Sequence, residues 1–73
     1  MIVYGYKVPP KVKEALESFM MAGDAFTFRD LVTRARRIGV PFMAADRLCD
    51  RLIQRNRKQL TRSGREWRAS ATV

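Results

Sequence analysis

Apolar residues recur at helical spacing in three stretches of the chain. The first stretch follows Pro9-Pro10 and is expected to end near Ala22, with Gly23 as its stop. Its apolar positions fall at i, i+3, i+4, i+7 and i+8, and they are Val12, Ala15, Leu16, Phe19 and Met20. This spacing predicts a first helix with one buried face.

The second stretch begins after a very short strand that we expect around Phe26. Thr27 and Asp30 are three residues apart and resemble a capping box, so the second helix is expected to start there. Gly39 is expected to end it. The predicted buried stripe of this helix comprises Leu31, Val32, Ala35 and Ile38.

The third stretch follows at once, because Pro41 is a good first-turn residue and stands two positions after Gly39. It predicts a third helix from about Pro41 to about Arg55. Its apolar positions are Ala45, Leu48, Cys49, Leu52 and Ile53. Two helices joined by a tight turn that contains glycine are typical of a helix-turn-helix.

The two ends of the chain alternate with period two instead. "IVYGYKV" predicts a short strand or extended arm with Ile2, Tyr4, Tyr6 and Val8 on one side. We expect Tyr4 and Tyr6 to cover the core, in preference to a binding role. Residues 1–8 thus form the arm, residues 9–69 the domain, and residues 70–73 a frayed end.

A hairpin is predicted near the C-terminus, with Ser63-Gly64 as a two-residue loop. This loop pairs Leu60 with Trp67, and the two then share one face with Ala69. We therefore favour Trp67 as an anchor in the core over Trp67 as a surface for stacking bases. In this arrangement, only a few side chains attach the predicted hairpin to the core.

Composition narrows the choice of function. The chain has 73 residues, of which 47% are hydrophobic, and this size suits one small domain. One cysteine and no histidine exclude a disulfide framework, a Cys-His zinc cluster and a histidine-dependent catalytic pair. Cys49 is expected to be an inert hydrophobe, and the carboxylate pairs Glu14/Glu17 and Asp46/Asp50 are weak as Mg²⁺ sites. We expect no catalysis, no cofactor and no small-molecule ligand.

Charge is distributed very unevenly along the chain. The formal net charge is +8, yet residues 1–26 carry three basic and three acidic side chains. From residue 27 onward there are twelve basic and four acidic side chains, so this part carries the whole excess. A fixed positive field on one part of a small domain favours a polyanionic partner, although a merely solvated basic surface is the alternative.

The order helix, short strand, helix, tight turn, helix and hairpin resembles that of winged helix-turn-helix DNA-binding domains. The residues that carry this resemblance are "FTFRDL", "RIGVPFMAADRLCDRLIQ" and "QLTRSGREWRA". It implies an α+β, mainly α fold of three helices and a small antiparallel hairpin, the wing. The chain departs from the pattern in its N-terminal arm and at Asn56, which stands where many members have glycine before the wing.

The resemblance implies that the third helix reads bases and that the wing contacts the DNA backbone or minor groove. The helix residues assigned to DNA are Met43, Ala44, Arg47, Arg51 and Gln54. The residues assigned on the wing and its approach are Arg55, Arg57, Lys58, Arg62, Ser63, Arg65 and Arg68. Backbone contacts from the second helix are assigned to Arg29, Arg36 and Arg37.

Asp46 and Asp50 complicate this assignment, because they cancel the charge of Arg47 and Arg51 on the third helix. They are expected to restrain neighbouring arginines by ion pairs, to repel phosphates at wrong sites, or simply to keep the helix solvated. The cationic attraction is then expected from the end of the third helix and the wing.

Double-stranded DNA is therefore the expected partner, and a homodimer is compatible with the small core and the edge of the arm. We expect the chain to bind DNA as a small bacterial or phage transcriptional regulator, sequence-specifically, or as an architectural factor. A protein-interaction module that docks an acidic partner, and an RNA-binding protein, remain alternatives. "MIVYGYKV" lacks the features of a signal peptide, and no apolar run reaches membrane-spanning length, so we expect a cytoplasmic protein associated with the nucleoid.

Overall fold

The computed structural model describes residues 1–70, which form a small α+β domain of three helices and short antiparallel strands. The elements, in chain order, are β1 (Ile2–Val3), β2 (Tyr6–Lys7), α1 (Pro10–Met20), β3 (Phe26–Thr27), α2 (Phe28–Arg37), α3 (Phe42–Arg55), β4 (Leu60–Ser63) and β5 (Glu66–Ala69). A single 3₁₀ turn, Arg57–Gln59, joins α3 to β4. No helix in this range combines the length and the hydrophobicity needed to span a bilayer.

The helices begin where the sequence indicates. Pro10 occupies the first turn of α1, and Pro41 precedes α3 directly. At α2 the predicted capping box is confirmed: the Asp30 amide donates to Thr27 Oγ1 at 3.1 Å, and the Thr27 amide donates to Asp30 Oδ2 at 2.9 Å. Together these two bonds satisfy amides that a helix start otherwise leaves without partners.

The core lies between the three helices and is closed by the short strands. Its buried residues are Val3, Leu16, Met20, Phe26, Leu31, Ala35, Val40, Ala44, Ala45, Leu48, Cys49, Leu52, Ile53 and Leu60. The predicted stripe of α3 is confirmed. That of α1 is confirmed at Leu16 and Met20, which are buried, but it is wrong at Ala15, which is exposed. That of α2 is wrong at Ile38, which caps the helix and is 37% exposed.

The three-stranded sheet has the order β3-β5-β4, so the short strand between α1 and α2 pairs with the C-terminal hairpin (Leu60–Ala69). Phe26 lies opposite Trp67 in this sheet. Trp67 is half-buried and packs against the core, as expected of an anchor. The pairing of β3 with β5 fixes the C-terminal hairpin to the helices.

The predicted register of the C-terminal hairpin is wrong by two residues. Leu60 lies opposite Ala69 and Arg62 opposite Trp67, and the loop is Gly64-Arg65, not Ser63-Gly64. Gly64 has φ +61° at the first loop position, where type II′ turns favour glycine. A shift of two residues leaves each side chain on its face, so Leu60, Trp67 and Ala69 still share one.

The N-terminal segment is not a single strand but an N-terminal hairpin (residues 1–8), in which Val3 pairs with Tyr6. Tyr4 and Gly5 form its loop with φ of +49° and +77°, as in a type I′ turn. Because the chain reverses there, Val3 is buried and Tyr6 packs against the core. Tyr4 is 69% exposed, so the expectation that both tyrosines cover the core is wrong for Tyr4.

Hydrogen bonds of Asn56 and Ser70 secure the two ends of the C-terminal part. Asn56, with φ −105° and not a left-handed conformation, donates from Nδ2 to Glu17 Oε2 at 3.0 Å and to the Leu52 carbonyl at 2.8 Å. Ser70, expected to be frayed, donates from its amide to the Gln59 carbonyl at 2.7 Å. Residues 71–73, the rest of the expected frayed end, lie outside the described residues.

Replacing Thr27 by alanine is expected to lower the free energy of unfolding by about 1 kcal/mol, because the Asp30 amide loses its cap. Thr27→Ser keeps the hydroxyl and should lose much less. Urea unfolding followed by circular dichroism measures both changes. Equal losses in the two variants would mean that the threonine methyl, and not the cap, stabilises the start of α2.

Candidate functional site

The outer face of α3 is the first half of the candidate site. Burial of the opposite stripe of α3 leaves Met43, Arg47, Arg51 and Gln54 exposed, as expected for residues assigned to a DNA contact. Among the large hydrophobic residues of the described range, Met43 is the most exposed, at 76%. Ala44 is different, since it is 2% exposed and belongs to the core. Ala44 is therefore not exposed for the DNA contact assigned to it.

The N-terminal hairpin lies against this outer face, which the sequence did not suggest. Arg51 donates from Nη1 to the carbonyl oxygen of Ile2 at 3.3 Å. The guanidinium carbon of Arg47 lies 5.8 Å from the centroid of the Tyr4 ring, within the range of a cation–π contact. Two arginines one helical turn apart are thus both in contact with the hairpin.

The N-terminal hairpin also lines two grooves beside these contacts. An open groove of about 380 Å³ is lined by Tyr4, Phe28, Met43, Asp46, Arg47 and Asp50. A second groove, of about 440 Å³, is lined by Met1, Asp50, Arg51, Gln54 and Arg55. The outer face of α3 therefore contributes to two open grooves that residues of the N-terminal hairpin also line.

The two acidic residues of α3 do not restrain arginines by ion pairs. Within residues 1–70 the salt bridge found is between Lys13 Nζ and Glu17 Oε1, at 3.7 Å on α1. Asp46 and Asp50 are exposed and lie within 4.0 Å of no basic group in that range. Of the three expectations for these residues, the ion-pair hypothesis is wrong, and solvation or repulsion of phosphates remains.

The C-terminal hairpin is the second half of the site. Arg62 is not a free residue at its tip, because its guanidinium carbon lies 5.1 Å from the Trp67 ring centroid. Its Nε also donates to the Gly64 carbonyl at 3.0 Å. Arg65 occupies the loop itself, and Arg68 lies on β5 opposite Thr61. The tip therefore presents Arg65 outward while Arg62 follows the strand.

The other assigned residues are also exposed, but they lie on different parts of the molecule. Arg55, Arg57 and Lys58 follow the end of α3, and Ser63 ends β4. On α2, Arg29 stands in the first turn, and Arg36 and Arg37 lie at the opposite end. The guanidinium of Arg36 stacks 4.8 Å from the ring centroid of Phe42, which brings the end of α2 to the start of α3.

The thiol of Cys49 is free but fully buried, so it is not placed to react with groups outside the core. Burial raises the pKa of its thiol to about 12, and the charge of Asp46 adds to the effect. Within residues 1–70 no three acidic, cysteine or histidine side chains are grouped closely enough to hold a metal ion.

Comparisons with family models, with curated proteins and with solved structures found no match to this chain.

The raised pKa predicts that Cys49 is protected from thiol reagents in the folded protein. At pH 8, a thiol with a pKa near 12 has about a thousandfold less thiolate than one with a pKa near 9. Ellman's reagent should react with Cys49 only as fast as the protein unfolds, and at the rate of a free cysteine in urea. Rapid labelling without denaturant would contradict the buried placement.

Proposed function

We propose that this chain binds double-stranded DNA as a winged helix-turn-helix domain. The order of its elements supports the proposal, because β3 stands between α1 and α2 and pairs with β5 of the C-terminal hairpin. The tight turn from α2 to α3 places Phe42, at the start of α3, beside Arg36 near the end of α2. The C-terminal hairpin then takes the place of the wing.

The observation that carries the proposal is that the basic side chains of residues 27–70 are exposed and not neutralised. All twelve are at the surface, and none is within 4.0 Å of a carboxylate in the described range. Exposed cationic side chains without acidic partners can bind phosphates and release counterions from nucleic acid. A surface evolved for solubility alone would intersperse both signs of charge.

In this proposal, the outer face of α3 enters the major groove. A major groove about 12 Å wide admits one α-helix, and Arg47 and Gln54 on that face suit guanine and adenine edges. Met43 is exposed enough to meet a thymine methyl. The C-terminal hairpin supplies the sequence-independent attraction through Arg65 and Arg68, and Arg57 adds to it near the end of α3.

A second candidate function is supported by the start of α3. Phe42 and Met43 are 72% and 76% exposed, and neighbouring exposed apolar residues are a feature of protein-interaction surfaces. Together with Arg36 on the Phe42 ring, they suit a protein partner that carries acidic side chains. This alternative predicts binding to an acidic peptide and no binding to random duplex.

Salt dependence distinguishes the two candidates. We expect the chain to bind a random DNA duplex with a slope of log K against log salt of about −4 to −5, corresponding to about five phosphate contacts. Fluorescence anisotropy between 50 and 300 mM NaCl measures the slope, with double-stranded RNA and polyglutamate as comparison ligands. Absence of duplex binding even at the lowest salt would exclude the proposed function.

Alanine variants are expected to distinguish residues that attract any DNA duplex from residues that recognise particular bases. Arg65→Ala or Arg68→Ala should weaken binding to all duplexes and reduce the salt slope by about 1. Arg47→Ala or Gln54→Ala should mainly relax base preference in selection from a random duplex library. Lys11→Ala is the matched control, because Lys11 is an exposed cation on α1 in the electrically neutral part of the chain.

If Arg65→Ala changed base preference while Arg47→Ala changed nothing, the division between α3 and the C-terminal hairpin would be reversed. If Lys11→Ala reduced the slope as much as Arg65→Ala, the attraction would depend only on net charge. Either result would require a different placement of the nucleic acid on the domain.

A further inference from the structure

Tyr4 combines two features that core packing does not explain. Its φ of +49° lies in the left-handed region, which disfavours residues other than glycine, asparagine and aspartate. A type I′ loop before Gly5 would ordinarily carry asparagine at this position. The side chain is also 69% exposed, so little burial compensates for the backbone conformation. An unfavourable conformation at an exposed aromatic residue points to a role of the ring itself.

The ring of Tyr4 lies against the outer face of α3. Arg47 lies over it at 5.8 Å, and one helical turn further on Arg51 donates to the Ile2 carbonyl on the same hairpin. The hairpin is itself anchored, because Val3 is 1% exposed and the Val8 amide donates to the Met1 carbonyl at 3.0 Å. A fixed element thus contacts two flexible side chains that are otherwise exposed.

We propose that the N-terminal hairpin is a positioning element that holds Arg47 and Arg51 in the orientation needed to read bases. Tyr4 is then a specificity-determining residue although it need not touch DNA. The inference rests on the proposed function, since it concerns the same face of α3. Arginine recognises guanine by two parallel hydrogen bonds, which require the plane of the guanidinium to be aligned with the base edge. A side chain held in advance loses less rotational freedom on binding and discriminates better.

The chain offers a matched set of variants to test this role. Tyr4→Asn removes the ring and places the favoured residue in the type I′ loop, so the hairpin should be at least as stable as in the wild type. Tyr4→Phe keeps the ring and removes only the hydroxyl group. Tyr4→Gly is a second ring-free variant that also accepts a positive φ. Urea unfolding of each variant confirms that the fold is kept.

Base preference is measured by selection from a random duplex library and by competition between the best site and single-base changes in it. Tyr4→Phe should match the wild type. Tyr4→Asn should lose about two- to fivefold of discrimination, the share of an exposed cation–π contact, and Arg47→Ala about tenfold or more. The loss in Tyr4→Asn should fall at the same base positions as the loss in Arg47→Ala. Binding to random duplex should change little.

An unchanged preference in Tyr4→Asn and Tyr4→Gly would overturn the inference while the proposed function stands. The same holds if the wild type shows no base preference, because there would be no reading for the hairpin to support. A loss in Tyr4→Phe that is uniform over all sequences would also overturn it, since the hydroxyl group would then be a phosphate contact. Failure of the wild type to bind any duplex would instead remove the proposed function.

Discussion

Packing of α3 against α1 and α2 is the interaction on which the rest of the structure depends. Of the fourteen buried core residues within residues 1–70, α3 supplies six, which is more than any other element in that range. A chain of 73 residues is near the lower limit at which burial alone sustains a fold. The orientation of α3 is therefore set by the core, and the direction in which Arg47 and Gln54 point follows from it.

The two hairpins are held against that core by few residues. Val3 is the buried residue of the N-terminal hairpin, and Leu60 and Trp67 attach the C-terminal hairpin. Two-stranded hairpins are marginal on their own, so each needs such an attachment to remain in place. The candidate site consists of the face of α3 and these two attached hairpins. Its geometry is thus only as well defined as the packing of those residues.

The sequence predicts the helical part of the fold well and its hairpins less well. Helix limits follow from Pro10, Thr27 with Asp30, and Pro41, because proline and capping residues act locally. The register of the C-terminal hairpin does not follow from such local signals, since registers two residues apart bury the same face. The observed register places Gly64, with φ +61°, at the first loop position.

The N-terminal hairpin and its position on α3 were beyond sequence reasoning for a different reason. Tyrosine is not a turn residue, so the Tyr4-Gly5 loop has only its glycine as a local signal. The contact of Ile2 with Arg51 joins residues 49 positions apart, which no local pattern reveals. The exposed arginines were predictable from composition, whereas the burial of Ala44 depended on the width of the interface of α3 with the core.

The uncompensated charge has opposite consequences for the free domain and for its proposed complex. Twelve basic side chains against four acidic ones beyond residue 26 repel each other, and this repulsion weakens a fold whose core is already small. Salt relieves the repulsion in the free domain but also weakens the attraction to a polyanion. Asp46 and Asp50 do not offset the arginines by ion pairs within residues 1–70. The charge therefore lowers the stability of the isolated domain. In the proposed complex, the negative charges of a phosphate backbone would relieve the same repulsion and so favour binding.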